Sequence, residues 1–189
     1  MTWQPGEPDV FWGELSPCEH LVQIYERDEV FLDALEGFVA GGVRSGEAVI
    51  VIATDSHRQA LESRLVGRGI DLGLAAAQDH YIAIDAAATL EHFMVDGWPD
   101  DARFHETVTG LIARAGARGR PVRAFGEMVA VLWGRGDNAA TIRLEHLWHT
   151  LCLSRGFSLF CAYPKSGFTE NATESIREIC ATHSRVFEG

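Results

Sequence analysis

Two buried-strand signatures separated by one helix-length segment constrain this chain more than any other feature. Val122 to Phe125 and Phe157 to Tyr163 are apolar runs bounded by turn residues, and the stretch between them carries its own helix start and stop signals. A connection of that length does not close a hairpin. The two strands are therefore expected to lie parallel in one sheet, joined by a right-handed crossover packed on its face. In such sheets ligands collect beyond the carboxyl ends of the strands. Those ends carry Gly126-Glu127-Met128 and Ala162-Tyr163-Pro164, so the working site is expected there.

The same alternation runs through the rest of the chain. His20 to Glu26 reads as a first strand, followed by a helix that Asp28 caps and Gly41-Gly42 ends. Ala48 to Ala53 is apolar without alternation, as a central strand covered on both faces requires. A helix from about 57 to 68, a loose Ala/Gly segment, a third strand from His80 to Asp85 and a short helix through Leu90, Phe93 and Met94 follow. Asp100 or Asp101 caps the next helix. Beyond the strand at Val122 come one or two helical turns from Glu127 to Trp133, breakers at Gly134 and Gly136, and a long helix capped by Asn138. A last helix, from about Glu170 to Val186, buries Ile176, Ile179, Cys180 and His183. Five β-α repeats predict an α/β fold, a three-layer, mostly parallel open sheet with helices on both faces. Residues 1–18 hold three prolines and no period, and form an irregular arm; residues 19–187 form one domain. Trp3 and Trp12 in the arm would offer apolar surface to a homodimer.

A chain of 189 residues with 47% hydrophobic content has ample material for one core. Its net charge of -11 provides no electrostatic footprint for nucleic acid or an anionic membrane surface, so neither is an expected partner. No basic-then-apolar leader and no apolar run of spanning length is present, which points to the cytoplasm. The four cysteines, Cys18, Cys152, Cys161 and Cys180, are widely spaced and read as reduced rather than bridged.

Several blocks together resemble one known family. Arg123-Ala124-Phe125-Gly126-Glu127-Met128, Leu144-Glu145, Phe157-Ser158-Leu159 and Cys161-Ala162-Tyr163-Pro164 look like recurring blocks of the MEDS domain. So do the strand from His20 to Tyr25, Ser45-Gly46-Glu47-Ala48-Val49-Ile50, and Ile179-Cys180 with His183-Ser184. The resemblance implies a cytoplasmic sensory domain of methanogens and methylotrophs, related to RecA-like ATPases of the circadian-clock type and elsewhere joined to histidine kinases, anti-sigma-factor kinases or DNA-binding modules. It implies a signal-input role for a small molecule. With no segment left for an output module, the expected partner is a separate histidine kinase or anti-sigma regulatory protein.

A RecA-like relation raises the question of ATP. The phosphate loop needs G-x-x-x-x-G-K-[ST], whose backbone N–H groups and lysine surround the phosphates. The single lysine, Lys165, is preceded by Pro164, and Leu159 stands where the first glycine belongs. The loop is absent, so neither ATP hydrolysis nor any cofactor is expected. The alternative is a degenerate nucleotide-binding protein or enzyme with a modified phosphate site.

Tyr25, Asp55, Asp85, Glu127 and Tyr163 fall at strand ends on one rim of the sheet and are the candidate ligand-binding residues, together with Arg123. Arg123 lies inside a strand and requires a carboxylate partner, Glu127 or Glu145. The metal alternative rests on Glu145, His146 and His149 at i, i+1 and i+4, and on Cys180 and His183 one helical turn apart. The latter pair lies on the apolar stripe, where a core cysteine and a hydrogen-bonded histidine are the expected reading. Cys161 sits between Phe160 and Ala162, where burial disfavours the thiolate and packing is the expected role. No hydrolase elbow is present, and no catalysis is expected.

Overall fold

The computed structural model describes Trp12, residues 15–168 and residues 173–188. In chain order the strands are β1 (His20–Tyr25), β2 (Ala48–Ala53), β3 (Tyr81–Asp85), β4 (Met94–Val95), β5 (Trp98–Pro99), β6 (Val122–Gly126), β7 (Ser158–Pro164) and β8 (Arg185–Glu188). The helices are α1 (Asp28–Arg44), α2 (Asp55–Gly67), α3 (Leu72–Ala77), α4 (Ala86–Phe93), α5 (Asp101–Gly116), α6 (Met128–Gly134), α7 (Asn138–Arg155) and α8 (Thr173–Ala181). Six strands form one sheet in the order β3-β2-β6-β7-β1-β8, with every neighbouring pair parallel. β4 and β5 form a separate antiparallel hairpin.

Alternation along the central strands explains the layers. Ala48, Ile50 and Ile52 of β2 join Leu90, Phe104, Met128, Leu144 and Trp148 on one face, while Val49, Val51 and Ala53 join Phe31, Leu35, Phe38, Leu61 and Leu65 on the other. Both faces of the strand are covered, which is why it reads as an unbroken apolar run. Helices α1, α2 and α3 thus cover one face, and α4 to α8 the other. Each buried Leu or Phe contributes about 1.5–3 kcal/mol of transfer free energy. The result is the α/β architecture expected.

The crossovers divide at two places. The chain leaves β2 toward the α2 face but leaves β6 toward the α6 face, although the two strands are hydrogen-bonded neighbours. Their carboxyl ends therefore form a topological switch point, the place at which open α/β sheets hold ligands. β1 and β7 form a second such pair, leading to α1 on one face and α8 on the other.

Several elements differ from expectation. The last helix stops at Ala181, and residues 185–188 form the edge strand β8 beside β1. Ser184 is what turns the chain: its N–H and hydroxyl both donate to the His20 carbonyl, and its hydroxyl accepts from the His20 N–H. The Ala/Gly segment contains α3, whose start is capped by the Asp71 side chain accepting from Leu74 N–H. Asp28 and Asn138 lie inside their helices, with Arg27 and Asp137 at the N-cap positions. Trp12 is buried, its ring against Phe38, Phe160 and Phe187, so it does not present the surface anticipated for a homodimer. Trp3 lies outside the described residues. No helix among the described residues is long and apolar enough to cross a membrane.

Candidate functional site

Glu127 begins where β6 ends and bridges the switch point to β2. One carboxylate oxygen accepts from the Thr54 N–H at 2.7 Å and from the Thr54 hydroxyl at 3.1 Å; the other meets His57 Nδ1 at 2.7 Å. Its own N–H donates to the Ile52 carbonyl at 2.8 Å. Hydrogen bonding to this carboxylate raises the pKa of His57 against the opposing effect of burial. The His57 ring packs on Phe31 at 4.9 Å, and Tyr25 stacks on the same Phe31 ring at 4.8 Å. Burial first, then Glu127 and Asp28, pushes the Tyr25 phenol upward, so it stays protonated. Tyr25, Thr54, His57 and Glu127 are thus brought together.

The remaining rim candidates are not. Asp55 turns to solvent and accepts from Arg58 and Gln59 of its own helix, both at 2.8 Å. Asp85 caps α4, accepting from the Ala88 N–H at 2.8 Å. Tyr163 lies on the opposite face of the sheet from the Glu127 network, fully buried, with its hydroxyl donating to Glu145. Arg123 stands at the amino end of the sheet and pairs with neither Glu127 nor Glu145. Its Nε and Nη2 donate to Glu47 at 2.5 and 2.6 Å, and Nη1 donates to the Phe38 and Trp12 carbonyls at 2.9 and 3.0 Å. It is a structural clamp, since four of its five donors are satisfied by the chain.

A second polar cluster lies under β1 and β7, inside the α7 layer. Nε2 of His20 is 3.6 Å from Glu145 Oε2 and 3.6 Å from Cys161 Sγ. Nε2 of His183 is 3.4 Å from the same Glu145 oxygen, which Cys161 Sγ approaches at 3.9 Å. The four donor atoms all lie within 4.8 Å of one another. Both histidines are oriented from behind. His20 Nδ1 contacts the Thr182 carbonyl at 3.2 Å and His183 Nδ1 contacts the Ile179 carbonyl at 2.5 Å; a carbonyl only accepts, so both Nδ1 atoms carry the proton in these contacts and Nε2 faces inward. Burial, with His183 and His149 adding, holds His20 well below the ordinary histidine range. Burial and then Glu145 push the Cys161 thiol up.

The helical spacings that suggested a metal do not assemble one. His146 is exposed and faces Glu178 at 3.5 Å, while His149 only borders the cluster through His20, at 3.4 Å. α8 ends before His183, which separates it from the stripe that carries Cys180. His20 and Cys161 escape a reading of the sequence because only parallel register joins them: Cys161 pairs with Val22, two residues from His20 on the same face. The legible signal was polar residues at face-inward positions of two buried strands.

A family model described as MEthanogen/methylotroph, DcmR Sensory domain (MEDS) matches residues 19–184, a span that includes both clusters. No curated protein matches the sequence.

Proposed function

Because the chain belongs to the MEDS family of sensory domains, we propose that it acts as a non-catalytic signal-input module that takes a small organic ligand at the β2–β6 switch point. The observation that supports this reading is the Glu127 network astride the switch point. A carboxylate, a hydroxyl and an imidazole converge there beside the Tyr25 and Phe31 rings, a combination of polar handles on an aromatic wall that suits a small ligand. In the free protein these polar groups satisfy one another, and a ligand with its own donor would displace Thr54 or His57 from Glu127. That exchange alters the start of α2 and the β6–α6 turn, giving a histidine kinase or anti-sigma regulatory partner two arrangements to distinguish.

A thermal-shift series tests this with methanol, formaldehyde and dichloromethane in one arm and ATP or ADP with magnesium in the other. A ligand at about a hundredfold its Kd adds about 2.7 kcal/mol, hence a rise of roughly 5–10 °C for a chain of this size. A rise with a one-carbon compound that disappears in Glu127→Gln supports the reading. A rise with nucleotide alone, or one that Glu127→Gln leaves intact, refutes it.

A further inference from the structure

We propose that His20, Glu145, Cys161 and His183 form a binding site for one divalent transition-metal ion of the zinc class, held by Nε2 of both histidines, Oε2 of the glutamate and the cysteine sulfur. The site is separate from the Glu127 network at the switch point and stands or falls independently of it.

Geometry is the first support. Donors around a tetrahedral ion bound at 2.0–2.3 Å are separated from one another by about 3.3–3.8 Å. Four of the six separations, 3.6, 3.6, 3.4 and 3.9 Å, fall in or beside that range, and all six lie within 4.8 Å, so binding requires only a small contraction of the cluster. Orientation is the second. Thr182 and Ile179 carbonyls hold the two imidazoles with Nε2 inward, and the Tyr163 hydroxyl occupies Glu145 Oε1, leaving Oε2 for the centre. Outer partners of this kind fix ligand tautomer and direction in metal sites.

An independent observation is that His183 Nε2 is buried and has no hydrogen-bond partner, although its side chain is 0% exposed. An orphaned buried acceptor is destabilising, because it has lost water without gaining a partner. Here it faces a carboxylate oxygen at 3.4 Å, and a cation between the two would engage both. Charge agrees: two neutral imidazoles, one carboxylate and one thiolate around a divalent ion sum to zero, the condition for a buried site. No lysine or arginine stands among the described contacts of Glu145. The nitrogen and sulfur donors favour zinc over magnesium or calcium, and four protein ligands close the tetrahedron, as in structural rather than hydrolytic sites. Binding exchanges the Cys161 proton for the ion, so uptake releases that proton to solvent. Since His183 lies between α8 and β8, the ion would fasten the segment 173–188 to β1, β7 and α7.

The test uses the full chain, stripped by dialysis against EDTA and titrated with Zn²⁺ and with Co²⁺. One equivalent should bind, and cobalt should show the visible bands of a tetrahedral ion together with a thiolate-to-cobalt charge-transfer band in the near ultraviolet. Cys161→Ser should remove the charge-transfer band and weaken binding tenfold or more, whereas Cys18→Ser, Cys180→Ser and His146→Ala should change neither. If Cys161→Ser does not fold by circular dichroism, the wild-type spectrum and the three controls decide alone. Wild-type protein that takes up no cobalt, shows no charge-transfer band, or loses that band in Cys18→Ser or Cys180→Ser overturns the proposal.

Discussion

Glu127 and Glu145 are both buried carboxylates against the same sheet, yet what meets their oxygens sets them apart. Glu127 accepts from the Thr54 N–H, from the Thr54 hydroxyl and from His57, so it braces the ends of two strands. Glu145 accepts from the Tyr163 hydroxyl on one oxygen, while the other faces the Cys161 thiol and Nε2 of His20 and His183, the arrangement proposed above to take an ion. The brace has a pH signature. His57 is raised above its ordinary pKa chiefly by its hydrogen bond to Glu127, with burial opposing and the charges of Glu127 and Asp28 adding. A group whose folded pKa is raised contributes stability that is whole below the unfolded value, about 6.5, and is lost as pH rises through the folded value. Urea denaturation of wild type and His57→Gln at roughly pH 5.5 and pH 8.5 should therefore show the wild-type advantage shrinking at the higher pH. An advantage that is constant or grows with pH would exclude the His57–Glu127 coupling.

At the level of elements, α1 shows how a correct local signal can carry the wrong meaning. Gly41-Gly42 reads as a helix stop, but α1 continues to Arg44, and the glycines serve as a notch. A Cβ on Gly42 would meet Arg123 Cδ at 2.7 Å, Arg123 Nε at 2.8 Å and Val49 Cγ2 at 2.8 Å. Neither neighbour can retreat, because Glu47 clamps Arg123 and Val49 is buried in β2. Gly42→Ala gains about 1 kcal/mol of helix propensity but incurs overpacking of about 1–3 kcal/mol. Net destabilisation in urea is expected, while Gly67→Ala, which meets open space at the end of α2, should be neutral or stabilising. Gly42→Ala equal to or more stable than wild type would contradict the notch. The central strands were legible because burial on both faces leaves an unbroken apolar run, and Glu127 was legible because it follows one. The β4–β5 turn was legible too: Asp96-Gly97, with φ of 50° and 79°, is a strong hairpin signal that the Met94 helix reading overrode. β8 was not legible, since Arg185-Val186-Phe187-Glu188 is short and lies at an edge that only Ser184 defines. Nor was the His20–Cys161 pairing, whose members are 141 residues apart.

Across the whole molecule, stability should be graded rather than uniform. β2 is hydrogen-bonded on both sides, to β3 and β6, and none of its residues is more than 1% exposed. β8 is paired on one side, is four residues long and leaves Val186 45% exposed. Opening of an edge strand exposes little apolar area, so it should need far less free energy than opening of the sheet centre. The link that raises its protection is the Ser184–His20 clamp, together with His183 in the buried cluster. Hydrogen exchange followed by mass spectrometry should therefore show peptides from residues 173–188 exchanging well before those from 48–53 in the EDTA-stripped chain. Ser184→Ala, which removes one donor and one acceptor from the clamp, should speed that exchange by roughly tenfold, the equivalent of about 1–1.5 kcal/mol for a lost hydrogen bond, without altering residues 48–53. Equal protection at both ends, or a Ser184→Ala effect spread evenly over the sheet, would mean that β8 opens only when the whole molecule does.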